Sequence, residues 1–209
     1  DNTQYLRLMR RMQNTIPHSR VARLEMTKFH LARRDYDQAL SNLRALVEEN
    51  PEDLAALDMI VQVLAETKRW DEIVELVERR TEEAPDLPLP LMSVRQAAHD
   101  LDKTEEFVPL AAAFLTAGKP TVEKQLMLGA IYADQGRHDE AVAAMEKALT
   151  LEDEIEPEVR IQLARLYDEV DRREDALAQI ETAVAEHPDE AADIYYAKAL
   201  LHHREDETD

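Results

Sequence analysis

The chain has 209 residues, 44% of them apolar, and a formal net charge of −20 from 45 acidic and 25 basic side chains. With no cysteine it has no disulfide, thiolate metal site or thiol nucleophile, and its charge argues against non-specific binding to nucleic acid or anionic lipid, both polyanions. Three glycines and 5% aromatics among abundant Ala, Leu and Glu favour helix throughout, and no apolar run reaches the roughly 18 residues of a membrane span.

In chain order, 1–19 predicts a capping helix or the end of a truncated repeat. Tyr5, Leu8, Met9 and Met12 share one face, Pro17 breaks the helix and Ser19 is placed to cap the next one. Because the chain starts at Asp1, a processed or excised N-terminus is expected. Paired amphipathic segments follow. In 20–52, Met26, Thr27 and His30 line a first helix, Asp35-Tyr36-Asp37 make a turn, and Ala39, Leu43 and Leu46 line a second helix that Pro51 closes. In 53–85, Trp70-Asp71 mark the turn and Val61 and Ile73 stand where the helices cross. Pro85 follows Pro51 by 34 residues.

The segment 86–120 diverges most. Pro88 and Pro90 suit a first helical turn, Arg95 takes the crossing position, and Phe107 and Ala111 reverse the small-then-large order of Ala39 and Leu43. Pro109 would clash with the Glu105 carbonyl, so a late start or a kink is expected. Bulky crossing residues over 53–120 predict splayed helix pairs and the softest part of the chain. In 121–156 the crossing is small again, at Gly129 and Ala141, with Gly136 ending the first helix and Asp139 placed to cap the second. The acidic connection 151–157 lacks the alternating spacing and turn glycine of a calcium loop and reads as solvated. In 157–188 Leu163, Ala164, Tyr167, Ala176, Ile180 and Ala183 repeat the pattern, with Asp171 in place of the turn glycine. A lone final helix and an acidic tail fill 189–209.

Leu128, Gly129, Tyr132, Gly136, Ala141, Met145 and Ala148 together resemble one unit of the tetratricopeptide repeat family, a helix–turn–helix of about 34 residues. The resemblance extends over roughly 20–200. It implies an all-α fold, a right-handed superhelical α-solenoid of about five tetratricopeptide repeats (20–52, 53–85, 86–120, 121–156 and 157–188), with first helices lining a concave groove that takes peptides.

Carried over residue by residue, the family's groove positions fall on Glu25, Lys28 and Leu31, then Asp58, Met59, Gln62 and Glu66. Next come Met92, Gln96 and Asp100, followed by Leu126, Met127, Ala130 and Asp134. Ile161, Gln162, Arg165 and Asp168 continue the face, and Tyr195, Tyr196 and His202 end it. With Glu123, Glu158 and Glu169, nine lining positions are acidic and two basic, beside an adaptable strip of Met59, Met92 and Met127. The partner implied is a protein or peptide segment with basic and apolar residues. The family's carboxylate clamp is not implied, because its positions hold Leu24, Lys28, Met59, Leu89 and Ser93, with one isolated lysine.

No HExxH, GxSxG or glycine-rich phosphate loop is present, and carboxylates are too common here to mark acid–base chemistry. His202-His203 with Asp206 has metal-ligand spacing but reads as a fraying end. No catalytic residue, metal, cofactor, nucleic-acid contact or direct membrane insertion is expected. The features point to a non-catalytic protein-interaction scaffold. The alternatives are a self-association module forming homo-oligomers, or the repeat region of a larger enzyme or secretion-related protein.

Overall fold

The computed structural model describes residues 7, 11, 19–152, 155–196 and 199. Among them are ten α-helices and no strand. The helices are α1 (Arg20–Ala32), α2 (Tyr36–Glu49), α3 (Leu54–Glu66), α4 (Trp70–Glu83), α5 (Leu91–Asp100), α6 (Thr104–Thr116), α7 (Val122–Asp134), α8 (His138–Leu149), α9 (Pro157–Glu169) and α10 (Arg173–Glu186). A 3-10 turn, Pro188–Glu190, leads into helical residues 191–196. The N-terminal capping helix lies outside the described residues apart from Arg7 and Arg11, and so do His202, His203 and Asp206. The chain forms two compact units, Asp1–Gly118 and Lys119–Asp209.

Each helix pair is joined in the same way. The residue after the first helix's C-cap adopts a left-handed backbone at Arg34, Lys68, Asp102, Gly136 and Asp171, with φ of 58–69°. The next residue's N–H then reaches back to a last-turn carbonyl: Asp35 to His30 at 2.9 Å, Arg69 to Leu64 at 2.8 Å and Lys103 to Ala98 at 2.7 Å. Arg137 reaches Tyr132 at 2.9 Å and Arg172 reaches Tyr167 at 2.8 Å. This bond satisfies a carbonyl that the helix end would otherwise leave open. Gly136 adopts that conformation without steric cost, whereas the other four residues carry a Cβ that crowds the following carbonyl. The recurrence of this turn gives every repeat a common register.

Helix starts follow local chemistry. Ser19 Oγ accepts from the Ala22 N–H at 3.3 Å, Asp53 caps α3 through the Ala56 N–H at 3.1 Å, and Thr121 caps α7 through the Lys124 N–H at 3.2 Å. Three sequence expectations are corrected. Asp139 lies inside the first turn of α8 and makes no cap, because the turn geometry already starts the helix at His138. Pro88 and Pro90 precede α5 rather than opening it; each proline disfavours helical geometry in the residue before it, so the helix waits until Leu91. Pro109 does not delay α6, which runs from Thr104. Pro109 and Glu105 are both exposed, a setting in which water can satisfy the carbonyl that loses its partner.

In the first unit the core is built from Ala39, Leu43, Leu57, Val61, Ile73, Val77, Val94 and Ala111, each at 0% exposure. Helices α1 and α2 lie along each other, while α3 with α4, and α5 with α6, meet at few positions. Between α3 and α4 the bulky residues at the crossing account for the difference. Val61 and Ile73 hold α3 and α4 apart, and Arg95 is turned out to solvent.

In the second unit α7 with α8 and α9 with α10 pack closely. A Cβ on Gly129 would stand 3.0 Å from Met145 Cγ and 3.4 Å from the Ala141 carbonyl oxygen. Close approach there depends on the missing side chain. Ala141, Met145, Leu163, Ala164, Tyr167, Ala176, Ile180, Ala183 and Ile194 form one apolar cluster. Ile155 is buried, and its carbonyl lies 3.0 Å from His187 Nε2, so the connection before α9 is anchored rather than simply solvated.

Candidate functional site

The family's groove positions lie on the first helix of each pair. In the first unit Asp58, Met59 and Gln62 come from α3 and Met92 and Gln96 from α5, helices that touch. Asp58 is half-buried and accepts a short hydrogen bond from the Ser93 hydroxyl, which ties α5 to α3. Its other oxygen accepts from Gln62 Nε2 at 2.7 Å. Gln96 Nε2 donates to Asp100 at 2.8 Å, and Met92 stands 64% exposed beside this polar network. Lys28, on α1, pairs with Glu25 of its own helix at 2.8 Å. Ser93 is not among the binding positions expected from the sequence; its signal is a place 35 residues after Asp58, about one repeat.

In the second unit Leu126 and Met127 are half-buried on α7, and Leu126 and Ile161 pack against the apolar cluster. These two therefore belong partly to the core. Asp134, Gln162 and Arg165 are exposed, and Tyr195 and Tyr196 are 54% and 68% exposed beyond α10. The three methionines of the expected strip are divided, Met59 and Met92 in the first unit and Met127 in the second.

Charge is also organised along the turns. Arg69, Lys103, Arg137 and Arg172, each just after a left-handed residue, pair with Glu72, Glu106, Glu140 and Asp175 three positions on. Hydrogen bonding from Arg69, with help from Arg44, holds the Glu72 carboxyl below its usual range. Arg20 does the same to Asp53 through a 2.7 Å contact. The Arg137 and Arg172 guanidinium groups stand 4.4 Å over the rings of Tyr132 and Tyr167. Tyr167 donates to Glu146 at 2.7 Å, and burial together with that bond pushes its phenol up to about 12.

Among the described residues of the first unit, grooves lie between the second helices. One, of about 520 Å³, lies between α4 and α6 and includes Val74, Thr81, Pro109 and Leu110. Another, of about 680 Å³, lies between α2 and α4 with Ile60 and Leu64 of α3 as its floor; Arg44, Arg79 and Arg80 line it. Sequence reasoning missed this groove, although an arginine at a position that is apolar in every other repeat was there to be read.

A tetratricopeptide repeat family model matches residues 30–92 and 132–201. Lipopolysaccharide assembly protein B of Escherichia coli (strain K12) is 21% identical over 173 residues, 79% of this chain and 44% of its own length. The chain thus spans less than half the length of the curated relatives it matches. YrrB, described as a TPR protein with an unusual peptide-binding site, superposes with a TM-score of 0.52 at 15% identity, covering 91% of this chain and 97% of that one. TTC0263, a thermophilic TPR protein of Thermus thermophilus, gives 0.48 at 25% identity, with 88% and 98% covered. The likeness to YrrB concerns the fold alone.

Proposed function

The chain belongs to the tetratricopeptide repeat family, and from that premise we propose that its first-helix faces bind a peptide or helical segment bearing basic and apolar residues. Proteins of this family are generally non-catalytic interaction scaffolds, and this chain is read as one. The observation that carries the ligand chemistry is on the touching first helices α3 and α5 of the first unit, which carry Asp58, Glu66 and Asp100 together with half-buried Met59 and exposed Met92. Like charges held together repel, and a cationic ligand relieves that repulsion. Met59 and Met92 offer an adaptable apolar contact. Within the second unit, exposed Asp134 gives α7 an acidic residue of its own.

A labelled amphipathic peptide with alternating Lys and Leu faces tests this by titration. Binding weakens as salt rises, since exposed charges are screened beyond about 8 Å at physiological ionic strength. Asp58→Asn with Asp100→Asn and Asp134→Asn weakens binding by at least about 1 kcal/mol, at a few tenths to one per exposed pair. Asparagine at position 58 keeps an acceptor for Ser93, so the fold is preserved while the charge goes. Glu82→Gln, Glu105→Gln and Glu174→Gln, on exposed faces of second helices, are the matched control. Equal losses in both triples would assign the effect to bulk charge and overturn the face assignment.

A second reading, that these repeats serve a longer assembly protein, is favoured by the relative named Lipopolysaccharide assembly protein B. Recovery of a longer native product carrying these repeats supports it, and a mature product ending with them contradicts it. Self-association is checked by sedimentation, where a concentration-independent monomer would exclude it.

A further inference from the structure

The left-handed turn residues mark the same position in every repeat. Twelve residues after Arg34, Asp102, Gly136 and Asp171 come Leu46, Phe114, Ala148 and Ala183, all buried and apolar. Twelve residues after Lys68 comes Arg80, also buried, at 8% exposure. Four repeats out of five therefore close their cores at this position without a charge, so the packing does not demand one.

Arg80 Nη2 donates to the Pro51 carbonyl oxygen at 3.0 Å, and among the described residues no carboxylate pairs with it. A largely enclosed guanidinium with one neutral acceptor has lost part of its hydration, and no opposite charge offsets that loss. Burial, then repulsion from neighbouring Arg79, lowers the pKa of the group. Arg80 lines the groove of about 680 Å³ between α2 and α4, with Ile60, Leu64 and Leu76 beside it. Glu48, Glu75 and Glu83 also line the groove but are not buried, and Glu72 is engaged by Arg44 and Arg69. Carboxylates in contact with water are screened by it and by salt, whereas a charge meeting Arg80 in its enclosed site interacts more strongly. The local preference at the groove's depth is therefore for an anion, although the chain as a whole is strongly acidic.

We propose that the groove between α2 and α4 docks a short apolar segment of a partner protein carrying one acidic side chain, its carboxylate meeting Arg80 and its apolar side chains lying on half-buried Val47 and Leu87 and exposed Pro51. A carboxylate can take two parallel hydrogen bonds from a guanidinium, which adds direction to the charge. This site is separate from the first-helix faces and selects the opposite charge.

The probe is a labelled, end-capped helical peptide of about 12 residues, three turns, with leucines on one face and a single central Glu among uncharged polar residues. Its twins carry Gln or Lys at that place. Fluorescence anisotropy should show the Glu peptide bound at least about tenfold more tightly than either twin, as expected of a charge-assisted pair. Arg80→Met, which copies the apolar choice of the other repeats, removes that preference without lowering the melting temperature. Asp100→Asn, on the first-helix face, leaves Glu-peptide binding unchanged, so failure here is separable from failure of the basic-ligand reading. Arg80→Lys should retain part of the preference, guarding against a packing artefact in the Met variant. Equal binding of the Glu and Gln peptides, or a preference that survives Arg80→Met, overturns the proposal. So does a dimer in sedimentation that Arg80→Met dissolves, which would make a second copy the occupant.

Discussion

The repeats of the second unit and the last two repeats of the first share one turn and nearly one period, yet their helix pairs pack differently. In α7–α8 and α9–α10 the crossing residues are Gly129 with Ala141 and Ala164 with Ala176, and the helices lie close. In α3–α4 they are Val61 with Ile73, while at the matching places of α5–α6 Phe107 is buried and Arg95 is turned out to solvent; both pairs meet at few positions. Both arrangements bury apolar residues well. What differs is the remaining surface: the looser pairs leave grooves between α2, α4 and α6. A few side-chain volumes at the crossings thus decide whether a repeat only closes a core or also opens a place to bind.

The largest effect should come from forcing bulk into the tight crossing. Gly129→Val is expected to destabilise the second unit by about 2–3 kcal/mol, since even a Cβ there stands 3.0 Å from Met145 Cγ. At the equivalent place in the first unit the reverse change, Val61→Ala, costs about 1–2 kcal/mol through lost burial and a small cavity. Urea unfolding followed by hydrogen exchange assigns each loss to its unit. A neutral Gly129→Val would show that close approach does not organise the second unit.

Tyr167→Phe comes next, at about 1 kcal/mol for the lost bond to Glu146. Its phenol is raised from the ordinary value near 10 to about 12 in the folded chain. The wild-type advantage over Phe is therefore complete below pH 10 and fades as pH rises towards 12. Denaturation at about pH 8 and about pH 11.5 brackets that window and measures it, and an advantage that grows with pH would contradict the bond.

The smallest effect belongs to Asp53→Asn, a few tenths to about 1 kcal/mol, because Arg20 is half-exposed. Asparagine still caps α3, so the change isolates the charge. Asp53 is held below the ordinary carboxylate range, so its contribution is full above that range and is lost as pH falls through the lowered value. The difference between wild type and Asn should shrink from about pH 7 to about pH 3; a constant difference would place the effect in the cap.

Much of the fold was legible in the chain itself. Gly129, Gly136, Ala141, Tyr167 and Ala176 announce helix pairs, because small crossing residues and a turn residue leave a local signature. Arg34, Lys68 and Asp102 did not announce their left-handed turns, since nothing in an arginine or lysine marks that backbone; only the register shows it. Pro109 misled as to where α6 begins, because the cost of its missing N–H depends on exposure, a tertiary fact. The family's groove positions were legible as places on the first helices, but the contacts they make were not. The bond from Ser93 to Asp58 and the core packing of Leu126 arise from contacts between helices distant in sequence. Arg80 is the instructive omission, because its departure from Leu46, Phe114, Ala148 and Ala183 was visible once the repeats were aligned.

The most direct test of the scaffold reading is an amide NMR footprint of the basic amphipathic peptide on the isotopically labelled chain. Shifts confined to the first helices, strongest around Asp58, Met59, Met92 and Asp100 and absent from exposed faces of α2, α4, α6, α8 and α10, are the expected result. Shifts centred on the second helices, or spread evenly over every acidic residue, would contradict it.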